Sequence, residues 1–236
     1  MNKNLKGNLD IYLDGPTEAE IIEIGNVCDG YTFNPSLFRS LGVKNYLDHC
    51  IQLSQKITDK PISLEVIADD GNGMIKQANV LNNLGPNIWI KIPVSFCNGQ
   101  STKNVIKELM AQGLKLNITA IFTLDQIKEI SNSLDGNRTI LSIFAGRIFD
   151  LGLDACEIIE KIVVWNNQNI SAKILWASPR MVYDIINANK TGCDIITIPP
   201  SILKKTDLWG LSPLEYSLKT VQMFYNDANA SGYKFG

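Results

Sequence analysis

One lysine stands inside an apolar, strand-like run, Asn87-Ile88-Trp89-Ile90-Lys91-Ile92-Pro93. A buried ammonium is costly, so Lys91 is either paired with a carboxylate or driven towards its neutral amine. A neutral amine is a nucleophile that condenses with a carbonyl to a Schiff base. The iminium then serves as an electron sink, so carbanion chemistry can proceed without a metal. The bland alternative is a lysine whose tip snorkels out at the strand end. Other strand-like runs shift the balance towards chemistry, because two of them end in carboxylates, Asp14 and Glu65. A carboxylate within reach of a reacting alcohol does general acid–base work.

Alternation along a strand decides which side chains share a face. It groups Tyr12 with Asp14, Ser63 with Glu65, Trp89 with Lys91, Asn117 with Thr119, Ser142 with Phe144, and Trp176 with Ser178. The opposite faces are apolar. Buried polar groups need partners, and a shared interior would let these strands supply them to one another.

The elements that must position these groups alternate along the chain. Strands are predicted over residues 9–14, 30–32, 62–66, 87–93, 116–122, 139–144, 173–177 and 195–198. Helices are predicted after Thr17 to Ile24, from Asn34-Pro35-Ser36 to Lys56, and over 73–83, 101–113, 124–133 and 154–166. Further helical segments are expected from Pro179, over 202–208 and over 213–228. Apolar residues on both faces of the Lys91 strand suit a parallel sheet covered on both sides. Eight such β-α units in about 220 residues predict a single-domain (β/α)8 TIM barrel spanning 1–236, with an extra C-terminal helix. A doubly wound open sheet is the alternative, but no glycine-rich phosphate loop follows any strand.

Composition excludes several classes. The 236 residues are 45% hydrophobic and 19% charged, with a net charge of −2. No basic block favours nucleic acid or an anionic membrane. No stretch approaches the roughly 20 apolar residues of a membrane span. The polar start, Met1-Asn2-Lys3-Asn4-Leu5-Lys6, lacks the apolar core of a signal peptide. Cys28, Cys50, Cys97, Cys156 and Cys193 lie far apart, as expected of reduced thiols in a cytoplasmic protein. His49 is the only histidine, which argues against a His-based metal site or a Ser-His-Asp triad. No cofactor is expected.

Several stretches together resemble the transaldolase family. They are Asp14 closing the first strand, Thr32-Phe33-Asn34-Pro35-Ser36, and Trp89-Ile90-Lys91-Ile92-Pro93. Leu116-Asn117-Ile118-Thr119 with Phe122, Ser142-Ile143-Phe144-Ala145-Gly146-Arg147 and Ala177-Ser178-Pro179-Arg180 complete the set. They follow in order and at matching spacing over nearly the whole chain. The stretch 220–228 is similar to the tail of the family's small branch, which includes short transaldolases and fructose-6-phosphate aldolases.

The resemblance implies a transferase of carbohydrate metabolism, in the pentose phosphate pathway, acting on phosphorylated sugars. It assigns Lys91 to the Schiff base and Asp14 to general acid–base work at the C4 hydroxyl. Glu65 and Thr119 would hold a proton-shuttling water. Asn34 and Ser142, with Asn117 nearby, would bind the dihydroxyacetone hydroxyls. Arg147, Ser178 and Arg180 would grip the phosphate, for which guanidiniums are well matched. Glutamate at Glu65 and phenylalanine at Phe144 resemble the transaldolases, whereas the aldolases tend to carry glutamine and tyrosine there. Two other activities stay open: an aldolase that releases dihydroxyacetone, and a catalytically silent sugar-phosphate binding barrel. Gly15, Phe33, Ile143 and Pro179 depart from the family pattern, and Phe33 and Pro179 are expected to alter the pocket. The branch also implies a homo-oligomer, a pentamer or decamer, with Tyr233 and Phe235 docked on a neighbour.

Overall fold

The computed structural model describes residues 7–234. Eight strands form a closed barrel in sequential order: β1 Asp10–Asp14, β2 Gly30–Thr32, β3 Ile62–Glu65, β4 Ile88–Pro93, β5 Leu116–Ile121, β6 Thr139–Ile143, β7 Lys173–Trp176 and β8 Ile195–Ile198. Every pairing is parallel, including the closing one between β1 and β8. A (β/α)8 barrel with a further C-terminal helix is therefore the architecture, as the alternation predicts.

The helices begin where local chemistry permits. Thr17 and Glu20 form a capping box on Glu18–Ile24, and Thr123 and Gln126 do the same for Leu124–Ile130. Each pair satisfies backbone donors that a first turn leaves unpaired. Asn34 caps Pro35–Ser40, with proline at a position that donates no hydrogen bond. The C-terminal helix Pro213–Ser231 begins at the Ser212–Glu215 box and ends at Gly232, whose φ of 65° is a left-handed cap. His49 packs edge-on against Phe38 inside the helix Tyr46–Lys56.

Most apolar burial lies between the barrel and its helices. Ile11, Leu13, Leu64, Ile90, Ile92, Ile118, Ile143 and Ile198 fill that layer. Inside the barrel a second, small cluster holds Tyr12, Ile140, Leu175, Ala177 and Ile195, with Trp89 and Phe144 packed on it. Gly30 makes room for this plug, since a Cβ there would meet the Tyr12 ring at 2.7 Å.

Three expectations need correction. On β7 it is Leu175 and Ala177 that face inward. Trp176 packs outside, its ring 6.0 Å from that of Phe149. Both faces of β7 are apolar, so alternation alone could not say which one is the interior. A short helix, Ala145–Asp150, follows β6 directly and was not anticipated. The helix after β7 starts at Asp184 rather than near Pro179. The intervening turn is held by the Asp184 carboxylate, which accepts from the backbone N–H groups of Arg180 and Met181. Phe235 and residues 1–6 lie outside the described residues.

Candidate active site

A cavity of about 120 Å³ opens at the C-terminal end of the barrel. It is lined by Asp14 and Thr32, Asn34, Lys91, Thr119, Ser142, Phe144, Arg147, Ala177, Ser178 and Thr197. A larger groove of about 430 Å³ runs along the outer wall between Tyr46–Lys56 and Gly71–Asn82. That groove is mostly apolar, whereas the smaller cavity gathers an amine, a carboxylate, hydroxyls and a guanidinium. A site for polar chemistry needs such convergent groups, so the smaller cavity is the candidate.

The sheet register brings the ionisable groups together. Glu65 of β3 stands beside Lys91 of β4, and Lys91 beside Asn117 of β5. The Lys91 Nζ lies 3.1 Å from Glu65 Oε2, with side-chain exposures of 7% and 17%. Lys91 is thus paired rather than snorkelled to solvent. Its aliphatic stem is flanked by Ile90 and Ile92, which point the other way into the outer core.

Asp14 closes β1, and its Oδ1 accepts from the Thr32 hydroxyl at 2.7 Å. Burial holds its carboxyl above the ordinary 3.8. Lys91 and the Thr32 hydroxyl oppose that rise, and the charge of Glu65 adds to it. A carboxylate with a raised proton affinity is suited to taking and returning a proton. The chain can turn sharply after Asp14 because Gly15 has φ 58°. A Cβ at Gly15 would also meet Leu37 at 2.8 Å, which rationalises the departure at that position.

On β5 the register with β6 breaks between Ile118 and Ile121, and Ala120 has φ 58°. This irregularity falls directly beside Thr119, whose buried hydroxyl oxygen has no protein partner. An orphaned hydroxyl at a cavity wall is a ready seat for a water or a substrate oxygen. Ser142 donates to Asn117 Oδ1 at 2.6 Å, and Asn117 Nδ2 donates to Ser63 at 3.0 Å. Asn117 is therefore fully buried beneath Ser142 and supports it, instead of lining the cavity itself. Asn34 accepts from Leu37 N through its side-chain oxygen, which leaves the amide nitrogen uncommitted.

At the rim, Arg147 lies over the Phe144 ring, 5.2 Å from its centroid. The short helix after β6 is what carries Arg147 to the mouth. Ser178 reaches the cavity because its backbone is left-handed, with φ 60°. Gly146 permits this approach, since a Cβ there would collide with the Ser178 carbonyl oxygen. Arg180 is not in the lining. Its guanidinium is ion-paired with Asp150 on the exposed rim. Phe33 and Pro179 are buried away from the cavity, Phe33 against Phe38 at 5.5 Å. Neither lines the cavity. Thr32 and Thr197 line the site although sequence reasoning gave neither a role. Their inward parity was legible, but threonine is ordinary in strands.

Among the described residues no group of three or more His, Cys, Asp or Glu could hold a metal ion. No helix among them is long and apolar enough to cross a membrane. Cys28, Cys50 and Cys193 are buried and Cys97 is exposed, all as free thiols.

The barrel and its lysine–carboxylate mouth define an aldolase- or transaldolase-type site. Residues 11–232 match the family model described as Transaldolase/Fructose-6-phosphate aldolase. The chain belongs to that family. A probable transaldolase of Bartonella henselae is 34% identical over 83% of this chain and 88% of its own length. One from a Thermoanaerobacter species is 36% identical, covering 83% and 88%. Another, from Bartonella tribocorum, is 32% identical over 95% and 98%. Among solved structures, a putative phosphonomutase of Burkholderia cenocepacia superimposes with TM-score 0.55 over 95% of this chain and 97% of that one. At 11% identity it shares the fold alone.

Proposed function

We propose that this protein is a transaldolase that transfers a dihydroxyacetone unit between sugar phosphates through a Schiff base on Lys91. The observation that carries the reading is Lys91, 3.1 Å from Glu65, at the wall of a cavity shared with Asp14 and Thr119. Lys91 attacks the C2 carbonyl of a ketose phosphate, and loss of water gives the iminium. Glu65 and the water seated by Thr119 carry protons in that step and in its reversal. Asp14 takes the proton of the C4 hydroxyl as the C3–C4 bond breaks. The bonding electrons pass into the iminium, an enamine remains on Lys91, and the first aldehyde leaves. The enamine attacks the aldehyde carbon of the acceptor, and Asp14 returns its proton to the new alkoxide. Hydrolysis then frees the product ketose.

Ser142, backed by Asn117, and the uncommitted amide nitrogen of Asn34 are suited to the hydroxyls of the three-carbon unit. Arg147 and Ser178 suit the phosphate at the rim. Arg180 would join them only by leaving Asp150, an exposed pair of the kind that contributes little.

The test is to incubate fructose 6-phosphate with erythrose 4-phosphate and follow sedoheptulose 7-phosphate and glyceraldehyde 3-phosphate. Release of free dihydroxyacetone with no stimulation by the acceptor would favour an aldolase instead. Absence of turnover would favour a binding barrel. Within this reading, Phe144 and Glu65 tune the partition. After cleavage the enamine either meets an acceptor or is protonated and hydrolysed. A Phe144→Tyr substitution adds a proton donor at the cavity wall, and is expected to raise dihydroxyacetone release relative to transfer. Glu65→Gln is expected to push the same way. A product ratio unchanged in both variants would remove these positions from the partition.

The same reading includes assembly. Leu214, Leu218, Val221, Met223, Phe224 and Tyr225 are all exposed on the C-terminal helix, none of whose residues is buried. Such a face is suited to burial on a second copy of the chain. The resemblance to the small branch points to a pentamer or decamer in the cytoplasm. Light scattering at micromolar concentration is expected to show a large closed oligomer, and Leu218→Glu with Val221→Glu to disperse it. A monomeric wild type would count against this assembly.

A further inference from the structure

Thr197, near the end of β8, lines the cavity at 5% exposure. Its hydroxyl lies 2.5 Å from that of Thr32, which in turn lies 2.7 Å from Asp14 Oδ1. The register explains the row. β1 sits between β2 and β8, pairing Asp14 with Thr32 on one side and Tyr12 with Thr197 on the other. Gly30, opposite Tyr12 on β2, carries no side chain to intervene.

A threonine hydroxyl has one proton, and an ionised carboxylate can only accept. Thr32 therefore gives its proton to Asp14, and the remaining bond can form only if Thr197 donates to Thr32. From this directed chain we propose that Thr197 is a positioning residue. It commits the Thr32 proton to Asp14 and so sets the orientation and proton affinity of the base.

The chain also accommodates the other protonation state. When Asp14 holds a proton it donates to Thr32, and the Thr32 hydroxyl turns to donate to Thr197. No bond between heavy atoms changes, and the Thr197 proton is left to turn towards the cavity that Thr197 lines. The second threonine passes the displaced proton from Thr32, 1% exposed, on to Thr197 at the cavity wall. The charged groups that act on Asp14 from the other strands are Lys91 on β4, which favours the ionised form, and Glu65 on β3, which opposes it. β2 and β8 contribute neutral hydroxyls. In so crowded a site, chained hydrogen bonds strengthen one another.

The catalytic part of the inference rests on Asp14 being the base of the proposed reaction, whereas its titration does not. The test is carbon NMR titration of protein labelled at the aspartate carboxyls, with Asp14 assigned through Asp14→Asn. Thr197→Val, which keeps shape and removes the hydroxyl, is expected to raise the Asp14 midpoint by about 0.5 pH unit. Thr197→Ser keeps the hydroxyl and should leave the midpoint in place. Thr32→Val should raise it further than Thr197→Val, by about one unit. Should Thr197→Val fail to fold, Thr197→Ala takes its place in the same comparison. In the transfer assay the acid limb of kcat/KM should move with the midpoint in Thr197→Val and return in Thr197→Ser. An Asp14 midpoint unmoved by loss of the hydroxyl, or moved equally by serine, overturns the assignment. A wild type that forms no Schiff base overturns the proposed function instead, and the titration still reads the threonine pair.

Discussion

Borohydride reduction in the presence of fructose 6-phosphate is expected to leave the three-carbon fragment of the sugar on Lys91 and on no other lysine. The reason is physical access to a reactive amine. Lys91 has a side chain 7% exposed, inside a cavity with an acceptor for its protons, Glu65, at 3.1 Å. Lysines on the outer helices stand in solvent beside glutamates, as Lys103 and Lys161 illustrate at 52% and 66% side-chain exposure. Lys91→Met is expected to abolish both the adduct and turnover, by at least roughly 10,000-fold, because the covalent intermediate cannot form. Methionine fills similar volume without a charge. The Glu65 side chain left behind is 17% exposed and water can reach it, so the variant should keep its circular dichroism spectrum. Peptide mass mapping checks the site. An adduct on another lysine would sink the assignment.

Asp14→Asn is expected to lower kcat by roughly 100- to 10,000-fold while imine formation continues. Reduction should then trap the intact six-carbon adduct, since the bond that Asp14 helps to break stays whole. In wild type the base form is required, and burial raises its carboxyl above the ordinary 3.8. The acid limb of kcat/KM should accordingly lie above that value. Stability carries the same sign. An unfolded chain ionises Asp14 first as pH rises through about 3.8, so the native state loses stability between there and its raised value. The loss is complete above both. Asparagine does not titrate and still accepts from Thr32, so Asp14→Asn should gain stability relative to wild type as pH rises from acid to neutral. Urea unfolding at both pH values measures this. An equal difference at both would mean that the carboxyl is not raised.

Much of the site was legible because a barrel strand alternates inside and outside with fixed period. Asp14, Glu65, Lys91, Thr119 and Ser142 could be placed on inner faces from parity; the register brings four of them to one mouth and pairs Glu65 with Lys91. Parity failed at β7, where Leu175, Trp176 and Ala177 are all apolar and either face could have been the interior. It failed again beyond strand ends, where backbone angle replaces alternation. Ser178 enters the cavity through a left-handed residue, and Arg180 turns away to Asp150.

The sequence by itself determined the eight-fold alternation, the buried lysine and the polar faces, because periodicity and burial act through neighbours along one strand. Only the tertiary structure decided who faces whom around the barrel. That Asn117 props Ser142, that Glu65 pairs with Lys91 at 3.1 Å, and that Thr197 reaches Asp14 through Thr32 are decided there. Barrel closure pairs β1 with β8, Tyr12 with Thr197, and so brings Thr197 to Thr32, 165 positions away in the chain. No local pattern encodes a contact of that range, since it exists only once the last strand has found the first.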